Sequence, residues 1–162
     1  MDFNFTEDQE AFRREVRQFL VQELGEGWWG VDPDAYFHDE NWAGIRQLTA
    51  RLAEKGWLTM AWPKEYGGQG RSHLEQMIYN EEMAYFRAPT RDNSTGTDLV
   101  GPTLMVYGTS EQKERFLPEI ADGSVVYCQG FSEPESGSDL ASLQLRAVED
   151  GDEYVLNGSK IW

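Results

Sequence analysis

The stretch Ala121-Asp122-Gly123-Ser124-Val125-Val126-Tyr127-Cys128 separates two parts of the chain that have different hydrophobic periods. Before it, apolar residues recur every three or four positions, as they do on one face of an α-helix. After it, residues 125–128 are β-prone, and Leu143, Leu145 and Ala147 alternate with polar residues. The sequence therefore predicts an all-helical domain over residues 1–122 and the beginning of a β domain over residues 123–162.

Two of the predicted helices begin with a hydroxyl residue that is followed three positions later by Gln or Glu. Thr6-Glu7-Asp8-Gln9 and Ser72-His73-Leu74-Glu75 both have this capping-box form. Between the helices, the segment 57–71 contains Pro63 and three glycines together with several aromatic residues, which predicts a packed, ordered connection. Further helices are predicted from about Glu40 to Lys55, from about Thr97 to Tyr107, and from Thr109 or Ser110 through Ile120.

Two turn signals follow in the β part. Asp150-Gly151-Asp152 and Asn157-Gly158 are both typical of hairpin turns. Residues 159–162 then begin a further strand, so we expect an incomplete β domain with open strand edges.

The charge of the chain excludes several classes of partner. Its 162 residues include 29 acidic and 14 basic residues, a net charge of −15. A field of that sign repels nucleic-acid phosphates and anionic lipid, so we expect neither nucleic acid nor a membrane as a partner.

Disulfide bonds and metal sites receive little support from the composition. Cys128 is the single cysteine, so neither an intrachain disulfide nor a cysteine-based zinc site is possible, and His38 and His73 lack ligand spacing. No metal site is predicted. The start of the chain lacks the features of a signal peptide, and no apolar run approaches about 18 residues. A cytoplasmic protein is expected by elimination.

The run Gln129-Gly130-Phe131-Ser132-Glu133-Pro134-Glu135-Ser136-Gly137-Ser138-Asp139-Leu140 has the composition of a ligand-binding loop. Its glycines allow a ligand to approach the backbone closely, and its N–H groups and hydroxyls can bind phosphate oxygens. An ordinary polar turn between strands explains the same residues, and physical reasoning alone favours that explanation.

Four stretches, in order along the chain, resemble the acyl-CoA dehydrogenase family. The resemblance covers nearly the whole chain, and four motifs in the right order are more specific than any one of them. They are the flavin-contacting signature (Phe131–Pro134 with Ser136–Leu140), the PxxYGG loop (Pro63–Gly68), the helix before the β domain (Gly108–Pro118) and the NGxKxW hairpin (Tyr154–Trp162).

The resemblance implies a mainly α fold, in which an N-terminal helical bundle is followed by the first strands of an antiparallel β-barrel-like domain. The C-terminal helical domain of that fold, which carries the glutamate base, is expected to be absent from the chain. We therefore assign no catalytic residue, and we expect these 162 residues alone not to turn over an acyl-CoA.

The same resemblance implies which residues contact ligands. The Ser138 hydroxyl would lie between the flavin phosphate and the pantetheine arm of the substrate, and Trp162 would pack on the flavin face away from the substrate. Leu99 and Leu104 would line the acyl channel, although an apolar helical stripe is equally explained by core packing. Residues expected to bind FAD are Gln129, Gly130, Phe131, Ser132, Gly137, Ser138 and Trp162.

One residue departs from the family pattern. Glu135 stands where the family usually has glycine. Its side chain could crowd the turn, or place a carboxylate near the anionic pyrophosphate and weaken FAD binding, or point harmlessly into solvent. We expect the last.

The implied reaction is the FAD-dependent α,β-dehydrogenation of an acyl-CoA thioester to the trans-2-enoyl-CoA. Electrons would pass to an electron-transferring flavoprotein, and the protein would be a homo- or hetero-oligomer, a dimer or tetramer. Two alternatives stay open. One is a flavin-dependent monooxygenase or oxidase on the same fold, and the other is a non-catalytic subunit of a heteromeric acyl-CoA dehydrogenase.

Overall fold

The computed structural model describes residues 4–25, 39–89 and 91–161 of the chain, which divides into two compact units, Met1–Tyr127 and Cys128–Trp162. The described part of the first unit is helical, and the second contains a two-stranded antiparallel sheet. The helices are α1 (Glu7–Leu24), α2 (Trp42–Glu54), α3 (His73–Tyr85), α4 (Arg91–Ser94), α5 (Gly101–Tyr107) and α6 (Ser110–Ala121), and the strands are β1 (Arg146–Asp150) and β2 (Glu153–Asn157).

Both predicted capping boxes are confirmed. At the start of α1, the Thr6 hydroxyl accepts a hydrogen bond from the Gln9 N–H, and the Gln9 side chain accepts one from the Thr6 N–H. Ser72 and Glu75 make the same reciprocal pair at the start of α3. Each box satisfies two N–H groups that would otherwise lack partners in the first turn, so local sequence determines where these helices begin.

The larger core of the first unit surrounds Trp57. The Trp57 ring meets those of Phe12, Phe19 and Tyr79 edge-on, at centroid distances of 5.9, 5.1 and 6.0 Å. Each such pair adds about 0.5–1.5 kcal/mol beyond the burial of its area. Trp57 is the first residue of the predicted packed connection, segment 57–71, and its ring packs between α1 and α3. The prediction of a packed connection is therefore confirmed.

A second core cluster lies beside α6. Trp62, Leu117 and Ile120 are buried, and Leu104 and Tyr127 are partly buried against them. Because Tyr127 packs on this cluster, the β-prone residues 125–128 are not in a strand, and β1 begins later, at Arg146. The boundary between the two units accordingly follows Tyr127.

The helix predicted from Thr97 begins earlier and has an irregular turn. A π-helical segment, Thr95–Val100, connects α4 to α5 without a break, so the helical run extends from Arg91 to Tyr107. Within it, the Gly101 N–H bonds to the Gly96 carbonyl, five residues back. The apolar periodicity of the sequence did not reveal this turn.

The second unit contains the predicted hairpin. Strands β1 and β2 pair antiparallel around Gly151-Asp152, with Val148 opposite Val155. The side chains of both strands are exposed. After Asn157, residues 159–161 do not form a further strand in the described structure; instead the Ile161 N–H bonds to the Ser132 carbonyl at 3.0 Å.

Candidate functional site

Residues 129–139, here called the 129–139 loop, contain a tight turn closed by paired backbone hydrogen bonds. The Glu133 N–H donates to the Ser136 carbonyl at 2.8 Å, and the Ser136 N–H donates to the Glu133 carbonyl at 3.0 Å. Pro134 and Glu135 form the tip of this turn. The Ser136 side chain is buried, and its hydroxyl lies 2.6 Å from that of Ser142. The loop is therefore ordered by its own contacts.

The Glu133 carboxylate is buried at the base of this turn. It accepts hydrogen bonds from the Gln144 N–H at 2.7 Å, the Leu145 N–H at 2.9 Å and the Lys160 ammonium at 3.0 Å. These donors, the Gln144 N–H most of all, hold the pKa of Glu133 below its ordinary value. Glu133 is thus ionised at neutral pH and fastens the 129–139 loop to the segment before β1.

Lys160 connects the same loop to the end of the chain. Its ammonium group also donates to the Phe131 carbonyl at 2.8 Å, and the neighbouring Ile161 N–H occupies the Ser132 carbonyl. The carbonyl groups of Phe131 and Ser132 are therefore both used inside the unit. These contacts hold both carbonyl groups in place within the unit.

The predicted cofactor residues in this unit lie on or near its surface. Phe131 is 62% exposed, which is unusual for a phenylalanine, and Ser132 is half-buried. Gly137 has no described protein atom within 4 Å of the position that a Cβ would occupy, so its backbone borders open space. Gln129, Gly130 and Ser138 are exposed as well, and the predicted Trp162 lies outside the described residues.

The residue that departs from the family pattern is accommodated without strain. Glu135 is exposed at the tip of the turn. Arg87 is the non-glycine residue with a positive φ in the described parts of the chain, so the Glu135 backbone does not adopt the left-handed conformation that favours glycine. A side chain is therefore compatible with this turn.

The two predicted channel residues lie in the first unit and in different surroundings. Leu99, in the π-helical segment, is 51% exposed. Leu104 is partly buried against the Trp62 cluster. Leu99 is thus free to contact a ligand, whereas Leu104 contributes to core packing.

Sequence reasoning did not identify Glu133 and Lys160 as the residues that hold the 129–139 loop. A carboxylate within a Gly/Ser loop, followed by a lysine just after a hairpin, is the signal that could have found the pair. Among the residues that the structure describes, no group of His, Cys, Asp and Glu side chains could hold a metal ion, and no helix is long and apolar enough to cross a membrane.

Comparison with known proteins identifies the family. Residues 6–124 match the model of the acyl-CoA dehydrogenase N-terminal domain. Acyl-CoA dehydrogenase FadE26 of Mycobacterium tuberculosis is 41% identical over the whole chain, which spans 40% of that protein. The chain therefore covers about two-fifths of the length of such relatives.

Solved structures agree with the sequence comparison. The ChsE4-ChsE5 complex from Mycobacterium tuberculosis matches with a TM-score of 0.82 and 41% identity, over 100% of this chain and 40% of the matched one. The steroid ACAD Tcur3481-Tcur3483 matches with a TM-score of 0.84 and 40% identity, over 99% of this chain and 41% of the matched chain. The predicted fold, a helical domain followed by the first strands of a β domain, is confirmed, and the chain belongs to the acyl-CoA dehydrogenase family of oxidoreductases.

Proposed function

We propose that this chain forms part of the flavin site of an enzyme that dehydrogenates an acyl-CoA thioester to the trans-2-enoyl-CoA. The observation that carries the proposal is the 129–139 loop, in which Glu133 and Lys160 fix the backbone while Phe131 and Ser138 stay exposed. A binding surface held in place before the ligand arrives avoids the entropic cost of ordering it on binding.

The residues of this loop fit a flavin nucleotide. Phe131 offers apolar contact area, the hydroxyls of Ser132 and Ser138 can donate to oxygen atoms, and Gly137 leaves room beside the backbone. FAD, the cofactor of this family, accepts a hydride from the substrate β-carbon when it is bound.

Individual roles follow from the family resemblance. The backbone groups of Phe131 and Ser132 would orient the flavin ring, together with the neighbouring Gln129 and Gly130, and the Ser138 hydroxyl would bind between the phosphate and the pantetheine arm. Trp162 would cover the ring face away from the substrate. We assign no catalytic base among these residues.

Leu99 extends the proposal to the acyl group. Its exposed side chain on the π-helical segment is suited to contact an apolar substrate tail. We propose an electron-transferring flavoprotein as the electron acceptor and an oligomeric enzyme, since one matched structure is that of a complex. Another matched structure is that of a steroid ACAD, so steroid side-chain thioesters belong among the substrates to be tested beside fatty acyl-CoAs.

The test of the flavin site is the cofactor content of three variants of the full protein. Ser138→Ala removes a phosphate donor and Trp162→Ala removes a stacking surface, so each should weaken FAD binding by about 1–3 kcal/mol. Ser110→Ala, at the exposed first residue of α6, is the matched control and should keep its flavin. Wild-type flavin content in both site variants would refute this assignment of the loop.

The reaction is tested by adding saturated acyl-CoAs of graded length and bulk to the flavin-loaded protein in the absence of oxygen. Bleaching of the flavin absorbance and formation of enoyl-CoA are the expected results. Persistence of the oxidised flavin spectrum with every fatty and steroid side-chain thioester would contradict the proposed activity.

A further inference from the structure

At the π-helical segment, the Thr97 carbonyl lacks a donor from its own helix. In an α-helical register, the Thr97 carbonyl would bond to the Gly101 N–H, but that group bonds to the Gly96 carbonyl. In a π register, the donor would be residue 102, which is Pro102 and has no N–H. Neither register of the helix therefore satisfies Thr97.

Trp62 supplies the missing donor from a different part of the chain. Its indole Nε1–H bonds to the Thr97 carbonyl at 3.2 Å, and both residues are 8% exposed. An unsatisfied carbonyl at this depth would cost about 1–3 kcal/mol, so the indole stabilises the π turn against alternatives.

Gly101 allows the indole to reach that carbonyl. A Cβ on Gly101 would lie 2.2 Å from two carbon atoms of the Trp62 ring, so the ring lies directly against the glycine backbone. The ring thus lies against the helix within the second core cluster, with its N–H directed at Thr97.

We propose that Trp62 is a positioning residue that sets the register of the π turn and, through it, the direction of the exposed Leu99 side chain. The Gly101 N–H and the Trp62 N–H compete for one carbonyl. If Gly101 moved its bond from Gly96 to Thr97, the π turn would become an α turn, and the helix before it would rotate by one residue, about 100°, relative to the helix after it.

The consequence for activity rests on the proposed function, in which Leu99 contacts the acyl group. Reorienting Leu99 changes the shape offered to the substrate tail. Trp62 therefore governs selectivity between bulky and linear acyl groups, and it does so without contacting the substrate.

The experiment compares Trp62→Phe, which removes the N–H, with Trp42→Phe, a control at a half-exposed tryptophan on α2. Hydrogen exchange across residues 95–101 reports the stability of the π turn. The ratio of kcat/KM for a steroid side-chain CoA and a linear acyl-CoA reports the direction of the Leu99 side chain. We expect exchange in Trp62→Phe to be about tenfold faster, matching a loss of about 1.4 kcal/mol, and the ratio to change several-fold.

A second substitution distinguishes the hydrogen bond from simple packing. Pro102→Ala restores an N–H at the position from which a π register reaches the Thr97 carbonyl. The double variant Trp62→Phe/Pro102→Ala should therefore recover slow exchange and the wild-type kcat/KM ratio, with Pro102→Ala alone as its reference. Unchanged exchange and ratio in Trp62→Phe, or a loss that Pro102→Ala does not rescue, would overturn the proposal. If the wild-type protein oxidises no acyl-CoA, the proposed function fails, and the exchange measurements alone decide the role of Trp62.

Discussion

Glu133 orders the 129–139 loop through partners that are sensitive to its charge. Glu133→Gln should speed hydrogen exchange at the Gln144 and Leu145 amides, because a neutral amide accepts more weakly than a carboxylate and cannot pair with Lys160. It should also lower the flavin content. The exposed Glu135→Gln is the matched control. Equal exchange in the two variants would show that Glu133 does not order the loop.

The pH dependence of the same contact has a definite sign. The native pKa of Glu133 lies below the ordinary glutamate value of about 4.3, so its ionised form stabilises the folded loop above that pH. This stabilisation is lost as the pH falls from about 4.3 through the native pKa. Exchange at Gln144 and Leu145, corrected for the intrinsic pH effect, should therefore accelerate in acid in the wild type and much less in Glu133→Gln. Parallel acid profiles would contradict this.

A buried carboxylate links helices α1 and α3. Glu82, 1% exposed on α3, accepts hydrogen bonds from Arg13 and Arg17 of α1 at 2.9–3.1 Å. Glu82→Ala should lower the free energy of unfolding by about 2–3 kcal/mol, because it removes the carboxylate that Arg17 bonds and leaves Arg13 with Glu81 alone.

The adjacent Glu81 provides the control for that substitution. It also pairs with Arg13, but its side chain is 50% exposed, so Glu81→Ala should cost about 0–1 kcal/mol. Urea denaturation of the two variants measures the difference. Equal losses would mean that burial does not determine the strength of this contact.

Another element-level prediction concerns the connection between α2 and α3. A Cβ on Gly68 would lie 2.0 Å from the Trp62 carbonyl oxygen, which cannot move without opening the connection. Gly68→Ala should therefore destabilise the protein by about 2 kcal/mol or more. Gly44→Ala, in α2 with nothing within 4 Å, should stabilise it by about 0.5–1 kcal/mol. Similar unfolding midpoints for the two variants would show that the Trp62 carbonyl does leave room for a Cβ at Gly68.

The elements differ in how far local sequence predicts them. Thr6 and Ser72 carry their helix signals within four residues, so the starts of α1 and α3 follow from the sequence. The π turn requires Trp62, 35 residues before Thr97, and no local pattern records that contact. The 129–139 loop was expected from the family motif. Its support by Glu133 was not, because the partners are backbone amides at Gln144 and Leu145 that any residue type would provide.

For the whole molecule, the excess of acidic residues predicts a response to salt. The chain has 29 acidic and 14 basic residues, so we expect repulsion between like charges to exceed the attraction within ion pairs. Salt screens both. The Debye length falls from about 30 Å at 0.01 M to about 8 Å at 0.15 M, which is enough to screen repulsion across the surface. The thermal midpoint of the 162-residue chain should therefore rise over this range of sodium chloride concentration. A falling midpoint would mean that the ion pairs dominate.

Cys128 is exposed, is the single cysteine of the chain, and directly precedes Gln129. A thiol-reactive fluorophore would therefore attach at one chemically defined position beside the 129–139 loop. Because oxidised flavin absorbs blue light, a blue-emitting dye at that sulfur would be quenched by energy transfer when the cofactor binds. Under the proposed flavin site, the placement of this thiol would make the chain an optical reporter of flavin binding, readable by titration in a cuvette.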